Sequence, residues 1–204
     1  EYQIAGLTKK EGKVLFDFVG SSQEIEWEYS PTVLSPKKFF FPQEEVFLEY
    51  TADGKITPKI EAKPVVLFGI HPCEANAMKI LDEAFADSHG DPNYLAKREA
   101  TVVISLDCKD LCDEDAFCYN VNSHYAAAGY DLMLHKLGNE YLITIKTEKG
   151  QAFAQKYFSS RTAERAALET FQQAKKDGRE LSQEEQKAIS DLKISRTNFL
   201  LKNK

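Results

Sequence analysis

Four cysteines are the residues whose type and spacing could do chemistry in this 204-residue chain. Cys108, Cys112 and Cys118 lie within eleven residues of one another, and Cys73 lies further back in the chain. In a reducing compartment, clustered cysteines are more often metal ligands or redox thiols than disulfides. A lone cysteine would favour a buried, inert thiol, but three cysteines so close together favour a ligand set.

The spacing Cys-x3-Cys-x5-Cys with a remote fourth cysteine is compatible with two kinds of centre. Four thiolates can hold a four-iron (4Fe-4S) cluster. A structural zinc ion takes four cysteines, or three cysteines and one histidine. His71 and His124 are the alternate ligands for the second version, because they lie close in sequence to Cys73 and Cys118. The spacing alone leaves iron–sulfur and zinc open.

A predicted βαβ unit positions the first two cysteines. Residues 64–70 and 100–106 are continuous apolar runs, which are typical of strands buried on both faces. Helical spacing of apolar residues over 74–86 connects them, so the strands are expected to be parallel. Cys73 and Cys108 follow the two strands and should meet at one sheet edge. The start of the helix should also favour the thiolate form of Cys73.

The remaining elements complete the predicted fold. The loop that carries Cys112 and Cys118 can fold back over the same edge, so that four thiols converge. The sequence predicts an α/β domain, a mixed sheet with a βαβ unit, followed by a helical extension, with domains at 1–150 and 151–204. Further predicted elements are strands over 13–19 and 44–50, a proline-rich loop over 31–42 pinned by aromatic residues, a hairpin of 131–137 and 141–146, and helices over 162–177 and 183–202.

Composition and absent motifs exclude several functions. The net charge of −6 argues against a nucleic-acid surface, and the longest apolar run is too short for a membrane span. No signal peptide is recognisable, so a cytoplasmic location is expected. The chain begins with Glu1 rather than Met, so we expect flanking sequence to be missing. Motifs for nucleotides, flavins, P-loops and serine hydrolases are absent, and the sequence shows no substrate-converting centre.

A reactive thiol is the weakest of the chemical hypotheses. Cys73 at a helix start could act as a nucleophile, but no histidine–carboxylate arrangement can be assigned as its base. His135 falls within a predicted strand and His89 within a turn, so both are interpreted as structural or solvated residues. The acidic residues beside Cys112 would either lower the potential of a cluster or simply solvate the loop.

Several stretches together resemble one family of proteins. They are similar to the iron–sulfur β subunits of cytoplasmic nickel–iron hydrogenases of the sulfhydrogenase type, and to the related A subunit of anaerobic sulfite reductase. The likeness covers about residues 10–150 in order. The stretches are Thr32–Pro42, Leu67–Cys73, Lys79–Asp82, Asp91–Tyr94, Leu106–Cys108, Phe117–Cys118 and Gly129–Leu132.

The resemblance implies an electron-transfer role. In the family this region precedes a ferredoxin-like module with two further four-iron clusters. The complex passes electrons between a flavin- or nicotinamide-bearing subunit and a catalytic subunit, so those subunits are the implied partners. By motif match, Cys73, Cys108 and Cys118 take the places of family cysteines.

Two departures from the family pattern matter. The family often has Cys-Phe-Cys where this chain has Ala116-Phe117-Cys118, so Cys112 is the candidate substitute for the missing ligand. No cysteine follows Cys118, so the ferredoxin module is not part of this sequence. The competing hypothesis is a scaffold domain, stabilised by zinc or free of metal, that docks partner subunits without redox function.

Overall fold

The fold is known from a computed structural model, which describes residues 2–27, 32, 34–86, 90–108, 111–137, 140–158, 169, 173–178 and 181–185. The strands are β1 (Gln3–Lys10), β2 (Lys13–Phe18), β3 (Leu48–Tyr50), β4 (Ile56–Pro58), β5 (Val65–Ile70), β6 (Thr101–Leu106), β7 (Leu132–Leu137) and β8 (Glu140–Ile145). The α-helices are α1 (Pro72–Phe85), α2 (Pro92–Ala100) and α3 (Glu148–Tyr157). Two 3₁₀ helices span Ser22–Glu24 and Pro36–Phe39.

The main sheet has six strands in the order β2-β1-β5-β6-β7-β8. Its four central strands, β1, β5, β6 and β7, are parallel to one another. At each edge the outer strand is antiparallel to its neighbour, since β2 pairs with β1 and β8 pairs with β7. The mixed α/β fold predicted from the sequence is therefore confirmed, including the parallel β5-α1-β6 unit.

Both faces of the sheet are covered, which explains the uninterrupted apolar sequences of β5 and β6. Every residue of these two strands is buried. On one face α1 and α2 contribute Ala75, Met78 and Tyr94 to the core. On the other face α3 contributes Phe153 and Ala154. Such two-sided burial is what a parallel central strand requires.

The proline-rich segment before β3 packs through its aromatic residues, as the sequence predicts. It lies on the face of the sheet that α1 and α2 cover. Phe40 is fully buried in the core, and Phe39 and Phe41 pack against it. Phe41 stacks on Tyr94 of α2 with a ring separation of 5.2 Å. The segment is not entirely irregular, because Pro36–Phe39 forms a 3₁₀ turn whose start is capped by the Ser35 side chain.

Several boundaries differ from the sequence prediction. The strand predicted over 44–50 is only Leu48–Tyr50, and it pairs with β4 in a separate two-stranded sheet. β1, α2 and α3 were not predicted. Because α3 crosses residue 150 and packs in the core, the body continues to at least residue 158. The division into domains at 150 remains a prediction.

The predicted helical extension is described only in part. Residues 173–176 are helical and end at a turn formed by 177–178. Ser182 and Glu185 form the expected capping box, since each backbone N–H donates to the other side chain. The rest of the two predicted helices, His89 and the turn at 138–139 lie outside the described residues. No helix within the described ranges is long and apolar enough to cross a bilayer.

Candidate metal centre

Two of the four cysteines follow neighbouring parallel strands, as predicted. β5 ends at Ile70 and α1 begins at Pro72, so Cys73 lies in the first turn of α1. β6 ends at Leu106, two residues before Cys108. Since β5 and β6 pair in parallel, with Ile70 opposite Ser105, both cysteines lie at the carboxyl ends of the strands. We call this region, with Cys112 and Cys118, the cysteine edge.

Contacts with α1 bring the loop after β6 back over this edge. The Asn76 side chain donates a hydrogen bond of 2.7 Å to the Tyr125 carbonyl oxygen. Within the loop, the Ser123 N–H donates to the carbonyl oxygen of Cys118 at 2.8 Å. The loop that carries Cys112 and Cys118 is thus anchored beside the helix turn that carries Cys73.

Gly129 allows the closest of these contacts. A Cβ atom at this position would lie 1.8 Å from the carbonyl oxygen of Ala75, and the residue has a φ of +87°. Only a glycine meets both demands, because a side chain would overlap the α1 backbone and would strain the left-handed conformation. The glycine of the Gly129–Leu132 stretch therefore has a positioning role for the cysteine edge.

The thiols are near enough for the charge on one to act on the next. Thiolate charge on Cys112 and on Cys73 raises the pKa of Cys108, after the larger effects of burial and of Asp107. Burial first, and then charge on Cys118, raises the pKa of Cys112. All four cysteines are therefore linked electrostatically through their neighbours.

The expectation that the helix start favours the thiolate form of Cys73 is wrong for the chain without a bound group. Cys73 is exposed as a residue, but its thiol is partly removed from solvent. Burial, followed by the charges of Glu74 and Cys112, raises its pKa to about 11. These effects outweigh the favourable amide groups of the helix start. A nucleophilic thiolate at Cys73 is correspondingly disfavoured.

Carboxylates add negative charge to the same edge. Burial raises the pKa of Glu74 to about 7, although the Glu74 carboxylate accepts a hydrogen bond of 3.2 Å from the His71 N–H. Asp107 and Asp113 raise the pKa values of Cys108 and Cys112, respectively. Burying several negative groups together is costly without a compensating positive charge.

A buried polar network lies behind Cys108. The Asp107 carboxylate is 2.9 Å from Nδ1 of His135 and 3.1 Å from Nζ of Lys175. His135 also contacts the Thr144 hydroxyl at 2.9 Å, so its interpretation as a structural residue holds. Burial alone would raise the pKa of Asp107, but hydrogen bonds and charge from His135 and Lys175 bring it below its usual value. The sequence gives no signal for the Lys175 contact, which joins residues far apart in the chain.

The two alternate ligands, His71 and His124, occupy different surroundings. His71 precedes α1 and is buried, and this burial lowers its pKa to about 3, so it is neutral at physiological pH. His124 stacks on Tyr119 with a ring separation of 4.3 Å. Both ring nitrogens of His124 are buried without a hydrogen-bond partner in the described part of the chain. Neutral imidazole is the form that binds metal.

The cysteine edge fits a cationic metal group in its donor types but is not a preformed coordination shell. Among the described residues, no group of three or more histidine, cysteine or acidic side chains is arranged to hold a metal ion. The donor set nevertheless consists of four thiols, and the surroundings of Cys73, Cys108 and Cys112 disfavour uncompensated thiolates. A metal group would supply the compensating charge and deprotonate its ligands.

The fold and its cysteine edge define the class of protein as an α/β domain with four cysteines at the carboxyl ends of parallel strands. The chain is 30% identical over 159 residues to sulfhydrogenase 2 subunit beta of Pyrococcus furiosus. The resemblance identified from the motifs is thus confirmed, since the chain is similar to a hydrogenase β subunit. The resemblance to anaerobic sulfite reductase remains a prediction.

The match covers 74% of this chain and 44% of the relative, so the chain spans less than half of that protein's length. No family model matches the chain. No solved structure matches it either.

Proposed function

We propose that this chain is an electron-transfer domain of a multi-subunit oxidoreductase and that Cys73, Cys108, Cys112 and Cys118 hold a four-iron cluster. The observation that carries the proposal is the position of Cys73 and Cys108 after neighbouring parallel strands, with the loop that carries Cys112 and Cys118 anchored beside α1. Four cysteine thiolates are the usual ligand set of such a cluster. The relationship to a sulfhydrogenase subunit supports the same function.

The residues around the thiols have defined roles in this proposal. The α1 turn and Gly129 orient Cys73 relative to the loop that carries Cys112 and Cys118. The network of Asp107, His135 and Lys175 fixes the chain at Cys108. A bound cluster would supply one-electron chemistry, while the protein supplies thiolate ligands and their electrostatic surroundings.

The partners and location follow from the same proposal. An electron-transfer domain needs a donor and an acceptor, and we propose a flavin- or nicotinamide-bearing subunit and a catalytic subunit in a cytoplasmic complex. The surface of the cysteine loop suits such contacts, because four large apolar side chains are exposed beside the thiols. They are Leu111, Phe117, Tyr119 and Val121.

The test is anaerobic reconstitution of the chain with iron and sulfide. We expect about four irons per chain and an absorbance near about 400 nm that decreases on reduction. Serine variants at each of the four cysteines should each lower iron content. Asp115→Asn is a matched control, because this exposed residue lies in the same loop.

Two results would overturn the cluster. A wild-type chain that binds no iron but one zinc ion would establish the zinc-stabilised scaffold. His71→Asn and His124→Asn would then identify a histidine ligand, because loss of zinc in one of them indicates a three-cysteine site. A chain that binds neither metal would support the hypothesis of a metal-free scaffold.

A further inference from the structure

The segment of residues 173–178 reaches the cysteine edge from the helical extension. Its Lys175 side chain donates a hydrogen bond of 2.7 Å to the carbonyl oxygen of Cys108. The same ammonium group lies 3.1 Å from the Asp107 carboxylate. Ala174 is buried, and a Cβ at Gly178 would be 3.1 Å from the Tyr119 ring. The segment therefore contacts both the end of β6 and the cysteine loop.

The charge of Lys175 opposes the negative groups around the thiols. Glu74 lies in the first turn of α1 beside Cys73, and Asp107 immediately precedes Cys108. Lys175 brings a positive charge to the Asp107 carboxylate and to the Cys108 main chain. Its side chain is only 31% exposed, so solvent screens its charge less than that of a fully exposed lysine.

We infer that Lys175 is a positioning residue of the cysteine edge, which fixes the Cys108 main chain and raises the reduction potential of the group bound there. The inference rests on the proposed function. Reduction adds one electron to the bound cluster without transferring an atom, so a nearby positive charge stabilises the reduced form. The hydrogen bond to Cys108 holds the ligand in place, as partners of metal ligands commonly do.

The experiment compares Lys175 variants in the reconstituted full chain. The midpoint potential is measured by titration with dithionite at equal iron content. We expect a lower potential in Lys175→Met, a still lower one in Lys175→Glu, and a value close to wild type in Lys175→Arg. Lys176→Met is the matched control, because this exposed neighbour should leave the potential unchanged.

Cluster retention provides a second readout. Lys175→Met should lose iron to a chelator about tenfold faster than wild type, in the range seen when partners of metal ligands are removed. Lys175→Arg should restore slow loss. If Lys175→Met does not assemble a cluster, Lys175→Gln takes its place, because glutamine can still donate to the Cys108 carbonyl without adding charge. A potential unchanged in Lys175→Gln, or shifted equally in Lys176→Met, would overturn the inference.

A measurement on the metal-free chain separates this inference from the proposed function. Hydrogen exchange of the amides in 173–178 should be faster in Lys175→Met than in wild type, because the contact with Cys108 is lost. Failure of the wild type to bind iron refutes the proposed function and, with it, the effect on the potential. Equal exchange in the two metal-free chains refutes the positioning contact itself.

Discussion

Buried polar groups near the two ends of β6 differ in the partners that surround them. Near the start of β6 lies the Asp131 junction, which consists of Asp131, Thr147 and Lys149. The Asp131 carboxylate accepts hydrogen bonds from the Val103 N–H at 2.8 Å and from the Thr147 hydroxyl at 2.5 Å. Lys149 lies 3.7 Å from it and donates to carbonyl oxygens at the end of α2 and the start of β6. Each charge of the junction thus has a partner within the protein.

The cysteine edge, at the other end of β6, contains groups of like charge that act on one another. Three of its thiols have raised pKa values, and neighbouring carboxylates contribute to each shift. The Asp131 junction has its partners within the protein, whereas the cysteine edge would gain a compensating positive charge from the proposed metal group.

The largest effect is expected at the Asp131 junction. Asp131→Ala should lower the free energy of unfolding of the metal-free chain by about 3–5 kcal/mol, because it leaves Lys149 and the Val103 N–H without their buried partner. Urea unfolding measures the difference. Asp115→Asn, at an exposed position, should change it by less than about 0.5 kcal/mol. A loss below about 1 kcal/mol in Asp131→Ala would remove the basis of the comparison.

Gly129→Ala tests the close backbone contact between the chain before β7 and α1, the helix that carries Cys73. The added Cβ would meet the Ala75 carbonyl oxygen at 1.8 Å, so we expect a loss of about 3 kcal/mol in unfolding free energy and weaker iron uptake. Gly12→Ala is the control, because its φ is +77° but a Cβ there would have no atom within 4 Å. It should cost only about 1 kcal/mol from backbone strain. Equal losses would mean that the contact with α1 is unimportant.

The sequence predicts the central elements better than the outer ones, for a physical reason. β5 and β6 are buried on both faces and therefore have continuous apolar sequences. β1 has a buried centre that includes Gly6 and Thr8, so its pattern is weak. α2 does carry helix-start signals, since Asp91 caps the helix and Pro92 follows it. Gly150, at which the sequence predicts a change of domain, lies within α3.

The candidate site likewise contains some features that the sequence predicts and others that it does not. The position of Cys73 and Cys108 at the same edge of the sheet follows from the parallel strands that precede them, which is local sequence information. The contact of Lys175 with Cys108 joins residues 67 positions apart, and no periodicity connects them. Partners of this kind depend on how the whole chain packs, so a single sequence does not reveal them.

The titration of Glu74 extends the comparison of the two regions. The Glu74 carboxylate accepts a hydrogen bond from the His71 N–H, whereas the Asp131 carboxylate also has the Lys149 ammonium group nearby. Burial raises the pKa of Glu74 from 4.5 to about 7, so the native state keeps a proton that the unfolded chain releases between these pH values. The contribution of Glu74 to stability therefore falls as pH rises from 4.5 to about 7. Between pH 4 and pH 8, Glu74→Gln should gain about 3 kcal/mol relative to wild type in the metal-free chain.

Urea unfolding at several pH values measures this gain as the difference between variant and wild type, which cancels the titration of other groups. Glu83→Gln, at an exposed position on the same helix, is the control. A difference between Glu74→Gln and wild type that stays constant from pH 4 to pH 8 would contradict the burial of an uncompensated carboxyl group at the cysteine edge.

The smallest effect on the metal-free chain is expected for Cys112→Ser. Cys112 is only partly buried, so its replacement should change the free energy of unfolding by less than about 1 kcal/mol. After anaerobic reconstitution the wild type should gain stability, because a group that binds only the native state shifts the folding equilibrium toward it. Cys112→Ser should gain much less, whereas Asp115→Asn should gain as much as wild type. Thermal unfolding without and with iron measures the stability of each metal-free variant and its gain on reconstitution. A gain in Cys112→Ser equal to that of wild type would exclude Cys112 from the ligand set.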